Sequence, residues 1–170
     1  FETTLISGPT NLKINNDIKL IEVETAEEMF QSTLKSLPVD VAIFSAAVCD
    51  YKVKETSKIK IKKQDEISLE LEKNVDILDC ISNHNSLRPK LVVGFAAETN
   101  NLESYANKKL SEKNCDWIIA NDVSNESIGF DSDFNEVSIF YKNKKIDKLN
   151  YKSKSEISDE LVEKIIDHLN

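Results

Sequence analysis

Glycine is scarce in this chain: 170 residues contain only Gly8, Gly94 and Gly129. Dinucleotide fingerprints and P-loops need clustered glycines so that the backbone can approach phosphates, and three isolated ones build neither. A phosphate-bearing ligand would have to be held by side chains and helix ends. Cysteine is also sparse, with Cys49, Cys80 and Cys115 far apart and no C-x-x-C pair. Neither a zinc site nor a disulfide framework is indicated, and a reducing, cytoplasmic setting fits. No apolar run approaches the roughly 20 residues of a membrane span, and no secretory pattern opens the sequence. Basic charge is short as well, with 22 Lys and Arg against 30 Asp and Glu, a net charge of −8. Neither nucleic acid nor a membrane is therefore expected as a partner. The two histidines, His84 and His168, lie in polar helical contexts and read as structural or exposed. No Ser-His-Asp or Cys-His set emerges.

What is present points to an α/β domain. With 40% hydrophobic residues in 170, one domain with a real core is expected. Residues 3–7 and 18–23 read as strands, and Ser7-Gly8-Pro9 is a turn signal. Thr25 with Glu28 forms a capping box for a helix carrying Met29, Phe30, Thr33, Leu34 and Leu37, which Pro38 stops. Residues 39–47 read as a buried strand, and 49–65 as a polar connection long enough to suggest a functional flap. Residues 67–71 alternate as a strand, and Asn74 is a candidate cap for a short helix through Ile77, Leu78 and Ile81. Residues 91–97 form a continuous apolar run, as expected of a buried central strand. Asn100 with Glu103 opens a helix over 102–113, and 115–120 is another buried strand ending at Asn121-Asp122. Residues 137–141 and 146–151 look like a strand pair, and Ser153 with Glu156 caps a last helix bearing Ile157, Leu161, Ile165 and Leu169. Strands alternating with helices predict a Rossmann-like three-layer α/β fold, with a mainly parallel sheet and a C-terminal antiparallel pair. Residues 1–170 read as one domain that lacks an N-terminal βα unit.

Several residues stand out from this pattern. Asp50 follows the strand over 39–47, at the sheet edge where open α/β sheets bind ligands. An aspartate there is also a common turn former. It adjoins Ser45, Ala46 and Ala47, small enough for a flat base to lie against the backbone. In Lys58-Ile59-Lys60-Ile61-Lys62-Lys63 a period of two puts Lys58, Lys60 and Lys62 on one face. Such a run guards an edge strand or meets an anion. On the 102–113 helix, Lys109 and Lys113 fall inside the apolar stripe of Leu102, Tyr105, Ala106 and Leu110. Their stems could snorkel, or their ammonium groups could point into a cleft. Phe95 serves equally as core or as a stacking platform, and Asn121-Asp122 as a turn or a binding pair.

Taken in order, the segments resemble one family, the CTP-dependent phosphopantothenate–cysteine ligase domain of bacterial coenzyme A biosynthesis. The resemblance is carried by Ser7-Gly8-Pro9, Ala46-Ala47-Val48-Cys49-Asp50-Tyr51, Lys60-Ile61-Lys62-Lys63 and Lys73-Asn74-Val75-Asp76-Ile77. It continues through Gly94-Phe95-Ala96-Ala97-Glu98-Thr99-Asn100, Ala120-Asn121-Asp122-Val123-Ser124 and residues 130–135. It implies a ligase that activates 4′-phosphopantothenate with CTP as an acyl-cytidylate, releasing pyrophosphate. The amine of cysteine then displaces CMP. By the same resemblance, the backbone at Phe44, Ser45 and Ala46 and at Val75, Asp76, Ile77 and Leu78 meets the nucleotide. Asp50, Lys60, Phe95, Lys109 and Lys113 supply side-chain contacts, Lys60 being the catalytic one, with Asn121 and Asp122 as substrate-binding candidates. Magnesium accompanies the triphosphate, and relatives carry an upstream flavin-dependent decarboxylase domain; a homodimer is expected from the resemblance and also from Val137, Ile139, Tyr141 and Leu149, an apolar alternation that an edge hairpin would otherwise expose.

Two features depart from the family pattern. Val75 stands where proline is usual. The family's upstream glycine-rich turn, with an asparagine that steadies the acyl-cytidylate, has no counterpart in these residues. The alternative expectation is a nucleotide-binding module of the same fold without catalysis. A nicotinamide-dependent oxidoreductase is disfavoured by the glycine count.

Overall fold

The computed structural model describes residues 1–12, 14–15, 17–57, 59–62, 67–124 and 132–170. Lys58, Lys63, Gln64 and Phe130, each part of an expectation above, lie outside the described residues.

The chain runs β1 (Thr4–Ser7), β2 (Lys19–Glu22), α1 (Ala26–Lys35), β3 (Val41–Phe44), β4 (Tyr51–Val53), β5 (Leu71–Lys73) and α2 (Ile77–Ser82). It continues with β6 (Leu91–Glu98), α3 (Leu102–Glu112), β7 (Trp117–Asp122), β8 (Phe134–Tyr141), β9 (Ile146–Ser153) and α4 (Lys154–Leu169). One sheet has the order β3-β6-β7-β8-β9, with β3, β6 and β7 parallel and the β8–β9 pair antiparallel. The expected C-terminal pair is thus the far half of the central sheet. Two small sheets stand apart, the parallel pair β1–β2 and the antiparallel pair β4–β5.

Helices cover both faces of the central sheet, giving three layers. On one face Leu78 of α2 and Ala106 and Leu110 of α3 pack on Val92, Ala96, Ile118, Ala120 and Phe140. On the other, Ile157 and Ile165 of α4 pack on Leu91, Val93, Trp117, Ile119, Val137, Ile139 and Leu149. Burying each such isoleucine is worth about 1.5–3 kcal/mol. Asp147 fastens the same helix: its carboxylate accepts from Lys164 at 2.9 Å and from the Tyr141 hydroxyl at 3.0 Å. The Lys164 hydrogen bond outweighs the cost of burial and holds the Asp147 carboxyl down to about 2. Among the described residues, no helix is long and apolar enough to cross a membrane.

Local signals behaved unevenly. The capping boxes at Thr25/Glu28 and Ser153/Glu156 both form. Asn74 does not cap α2. Asp76 does, its side chain accepting from the Asp79 amide. Nor does Asn100 cap α3; that position is Asn101, which enters the helix at φ 47° with no side-chain cap bond. Only the end of the expected 67–71 strand is paired, as β5. The 39–47 strand shortens to four residues at the sheet's edge and is not buried. The alternation of Val137, Ile139 and Leu149 is no exposed hairpin face, since α4 of the same chain covers it. The homodimer therefore draws no support from that face.

Candidate functional site

β3 with the residues that follow it, and Phe95 of β6, line one part of a cleft of about 1330 Å³ that also runs past β1 and α4. Residues 45–50 leave β3 with Ser45, Ala46 and Ala47 exposed, so that backbone rather than bulk lines this wall. The facing wall is the start of α2, with Val75, Asp76, Ile77 and Leu78. Gly94 lets α2 come this close. A Cβ on Gly94 would stand 2.8 Å from side-chain atoms of both Leu78 and Ile118, inside normal contact distance, so α2 would have to retreat from β6. Asn74 ties the two walls together: its amide donates to the Asp50 carbonyl and its side chain to the Cys49 carbonyl, both at 2.8 Å. These bonds and the β4–β5 pairing hold both ends of the lysine-bearing connection beside the cleft.

Phe44, Ser45, Ala46, Asp50, Val75, Asp76, Ile77, Leu78, Phe95 and Lys109 all line this one cleft. Phe95 also packs against the second core cluster, so it serves as both core and lining. Both stripe lysines of α3 are half-buried and turned away from open solvent. Lys109 donates to the Phe95 carbonyl at 2.8 Å, and Lys113 pairs with Asp76 at 2.8 Å. The hydrogen bond to Asp76 raises the Lys113 ammonium above the usual lysine range. For Asp76, burial pushes the carboxyl up, but the Lys113 ammonium, the Asp79 amide and the Lys109 charge together outweigh it, and the net shift is downward.

The structure does not bring every expected residue together. Lys60 is exposed and lies outside the cleft lining, as does Lys113. Asn121 and Asp122 end β7 beside Ala97 and Glu98 and do not line the cleft either. Asp122 is engaged locally, its carboxyl lowered by the Ser124 hydroxyl and then by the Ser124 amide. Sequence reasoning missed Asn74 as the strut across the cleft. The signal that could have found it is the aspartate two residues on, a better-placed cap that frees Asn74 for other work.

The cleft offers a backbone-lined slot with the exposed Asp50 carboxylate and the half-buried Lys109 ammonium in its lining, and with Lys113 held behind Asp76. That set suits a planar base attached to an anion. Among the described residues no group of three or more His, Cys, Asp or Glu side chains is placed to hold a metal ion. Cys115 is buried, its thiol pushed up to about 11 by burial, and is chemically quiet.

Comparison with known proteins fits this geometry. The chain is 45% identical over 166 residues to the coenzyme A biosynthesis bifunctional protein CoaBC of Haemophilus influenzae, covering 96% of this chain and 41% of that protein. It is 40% identical over 164 residues to CoaBC of Bacillus subtilis, covering 95% of this chain and 40% of that one. The chain thus spans about two fifths of the length of these relatives. The crystal structure of the C-terminal domain of CoaBC superposes with a TM-score of 0.80 at 34% identity, covering 99% of this chain and 74% of that one. A Cab2 variant in complex with phosphopantothenate-cysteine, at 18% identity and a TM-score of 0.60 over 81% of this chain and 48% of that one, shares the fold. Residues 1–169 match the family described as the DNA/pantothenate metabolism flavoprotein C-terminal domain, and the chain belongs to that family.

Proposed function

We propose that this chain is the ligase part of a coenzyme A biosynthesis enzyme, joining 4′-phosphopantothenate to cysteine at the expense of CTP. The observation that carries the reading is the convergence of ten of the expected site residues on one cleft, in a chain 45% identical to a CoaBC protein. The substrate carboxylate attacks the α-phosphorus of CTP; its P–O bond forms as the bond to pyrophosphate breaks. The cysteine amine then attacks the acyl carbon, the C–O bond to CMP breaks, and the amine proton passes to solvent.

The backbone at Phe44, Ser45 and Ala46 and at Val75, Asp76, Ile77 and Leu78 grips the base between two close walls. Lys109 and Lys113 bring positive charge beneath the phosphates, exchanging the Phe95 carbonyl and Asp76 for ligand oxygens. Lys60 comes down on its connection to the transferring phosphoryl group, where a positive charge is worth most in the transition state. Asn121 and Asp122 are assigned to the acyl substrate. Magnesium supplies charge neutralisation on the triphosphate when bound. The exposed carboxylate of Asp50 in the cleft lining suits that ion, which takes one or two carboxylates plus phosphate oxygens and water. A homodimer and an upstream flavin-dependent decarboxylase domain belong to the same proposal on family resemblance.

The second reading, a nucleotide-binding module without catalysis, is favoured by one observation: Lys60 stands off the cleft. Both readings require a nucleotide to bind. Two close backbone walls read a pyrimidine edge and crowd a purine, so calorimetric titration should give CTP a clear preference over ATP. Equal affinities for the two nucleotides would remove the base-recognition part of the proposal.

A further inference from the structure

The two walls of the cleft are held to different degrees. The wall from Val75 to Leu78 is fixed on several sides. Asp76 accepts from the Asp79 amide at 2.9 Å and pairs with Lys113 of α3 at 2.8 Å. Ile77 and Leu78 are buried, and the Leu78 side chain lies where a Cβ on Gly94 would stand only 2.8 Å away. This wall is the start of α2, and it shifts only if α2 leaves the central sheet.

The opposite wall lacks such support. It leaves β3 at Phe44, which pairs with Gly94, and enters β4 at Tyr51, which pairs with Lys73. Between them Ser45, Ala46, Ala47, Cys49 and Asp50 are exposed and Val48 is half-buried. Among the described residues, the hydrogen bonds that hold 46–50 are an internal one, from the Val48 amide to the Ala46 carbonyl at 3.1 Å, and those from Asn74. The Asn74 backbone amide donates to the Asp50 carbonyl at 2.8 Å, which carries the β4–β5 pairing one residue further. Its side-chain Nδ2 reaches back to the Cys49 carbonyl at 2.8 Å, nearer in sequence to the exposed backbone of Ser45 and Ala46. Asn74 is thus joined to one wall by its peptide bond to Val75 and to the other by hydrogen bonds.

We propose that Asn74 is a positioning residue that sets the width of the slot between the walls, and with it the preference for a pyrimidine over a purine base. The assignment rests on the nucleotide reading above and adds to it the residue on which base selectivity depends. CTP and ATP carry the same triphosphate, so the charge at Lys109 meets both alike. Discrimination has to come from the space between the walls. A slot rejects the larger base only while it cannot widen, since selectivity of this kind is built from clashes against the wrong ligand. The Val75 to Leu78 wall is already fixed, so the side-chain bond to Cys49 decides whether the other wall can retreat. A displacement of about 1 Å is enough to spoil a fit of this sort. Asn74 does this without touching the base.

Calorimetric titration of the full-length protein with CTP and with ATP gives the ratio of their affinities. Asn74→Ala should lower the preference for CTP about tenfold, the scale of a small misfit in a shaped pocket. Asn74→Asp keeps the size of the side chain and the backbone bond but sets an acceptor against the Cys49 carbonyl, so the preference should fall as far. Its added charge weakens both nucleotides alike and cancels in the ratio. Lys164→Ala is the control: it removes a 2.9 Å tie between α4 and Asp147, away from both walls, and should leave the ratio unchanged. Without nucleotide, the amides of Val48 and of position 74 should exchange about tenfold faster in Asn74→Ala than in the unmutated protein. With a CTP preference present in the unmutated protein, its retention in either Asn74 variant would overturn the assignment and leave the nucleotide reading standing. An equal fall in Lys164→Ala, or unchanged exchange in Asn74→Ala, would also overturn it. Equal affinities in the unmutated protein would overturn the assignment and the base-recognition reading together.

Discussion

Lys60→Gln in the full-length protein is expected to slow phosphopantothenate-dependent pyrophosphate release about 100-fold or more, the scale seen when one donor to a developing anion is removed. The fold should be untouched, because Lys60 is exposed on the connection between β4 and β5 and contributes nothing to either core cluster. CTP affinity should fall far less than the rate. Lys109, Lys113 and the two backbone walls remain to hold the ground state, and an interaction made mainly in the transition state lowers the rate constant more than binding. Asn74 and the β4–β5 pair anchor the two ends of the connection that carries Lys60. Release at the unmutated rate would show that Lys60 is only a charge on a loop.

Arg88→Ala should cost about 2–3 kcal/mol of stability, a large loss for a charged side chain. Arg88 lies between α2 and β6 and makes a hub of contacts. It donates to the Ser82 carbonyl at 2.7 Å, to the Pro89 and Asn114 carbonyls at 3.0 Å, and to both Asp116 oxygens at 3.0 Å. Through these bonds one side chain joins the end of α2, the exit of α3 and the approach to β7. Losing it leaves Asp116, whose side chain is only 19% exposed, with Lys142 at 3.3 Å and the Val92 amide at 2.7 Å. Breaking a fully buried pair costs about 3–5 kcal/mol. Arg88 is 26% exposed, and Lys142 offsets part of the lost charge, so the expected loss falls at or below the bottom of that range. Arg88→Lys should recover only part of the loss, since an ammonium cannot make the two-pronged contact. Urea unfolding with an unchanged m-value measures it. A loss under about 0.5 kcal/mol, the range of ordinary surface substitutions, would mean the hub is ornamental.

Much of this fold was legible because its signals are local. The capping boxes of α1 and α4 need only residues three apart, and both form. Lys109 and Lys113 were anomalous on the helix wheel alone, though not their partners, the Phe95 carbonyl and Asp76, which lie far off in sequence. Where the outcome depends on distant chain, the pattern misled. Asn74 and Asp76 are both able caps, and only the tertiary use of Asn74 across the cleft decides between them. The left-handed backbone falls on Asn101 rather than Asn100, and since both are asparagine, a type that tolerates it, residue type does not choose between them. Alternation identified the inward face of β8 and β9 but could not say that α4, rather than a second copy, covers it. The apolar run before Ser45 promised a buried strand, yet among the described residues β3 has a neighbour on one side only, and burial depends on neighbours.

We propose that this cleft serves a nucleotide-driven amide synthesis. Its most direct test supplies the full-length protein with 4′-phosphopantothenate, cysteine, CTP and magnesium and measures CMP, pyrophosphate and the amide together. One CMP and one pyrophosphate are expected for each 4′-phosphopantothenoylcysteine formed, with pyrophosphate release beginning before cysteine is added. CTP consumed with no amide, or amide formed with no nucleotide consumed, would contradict it.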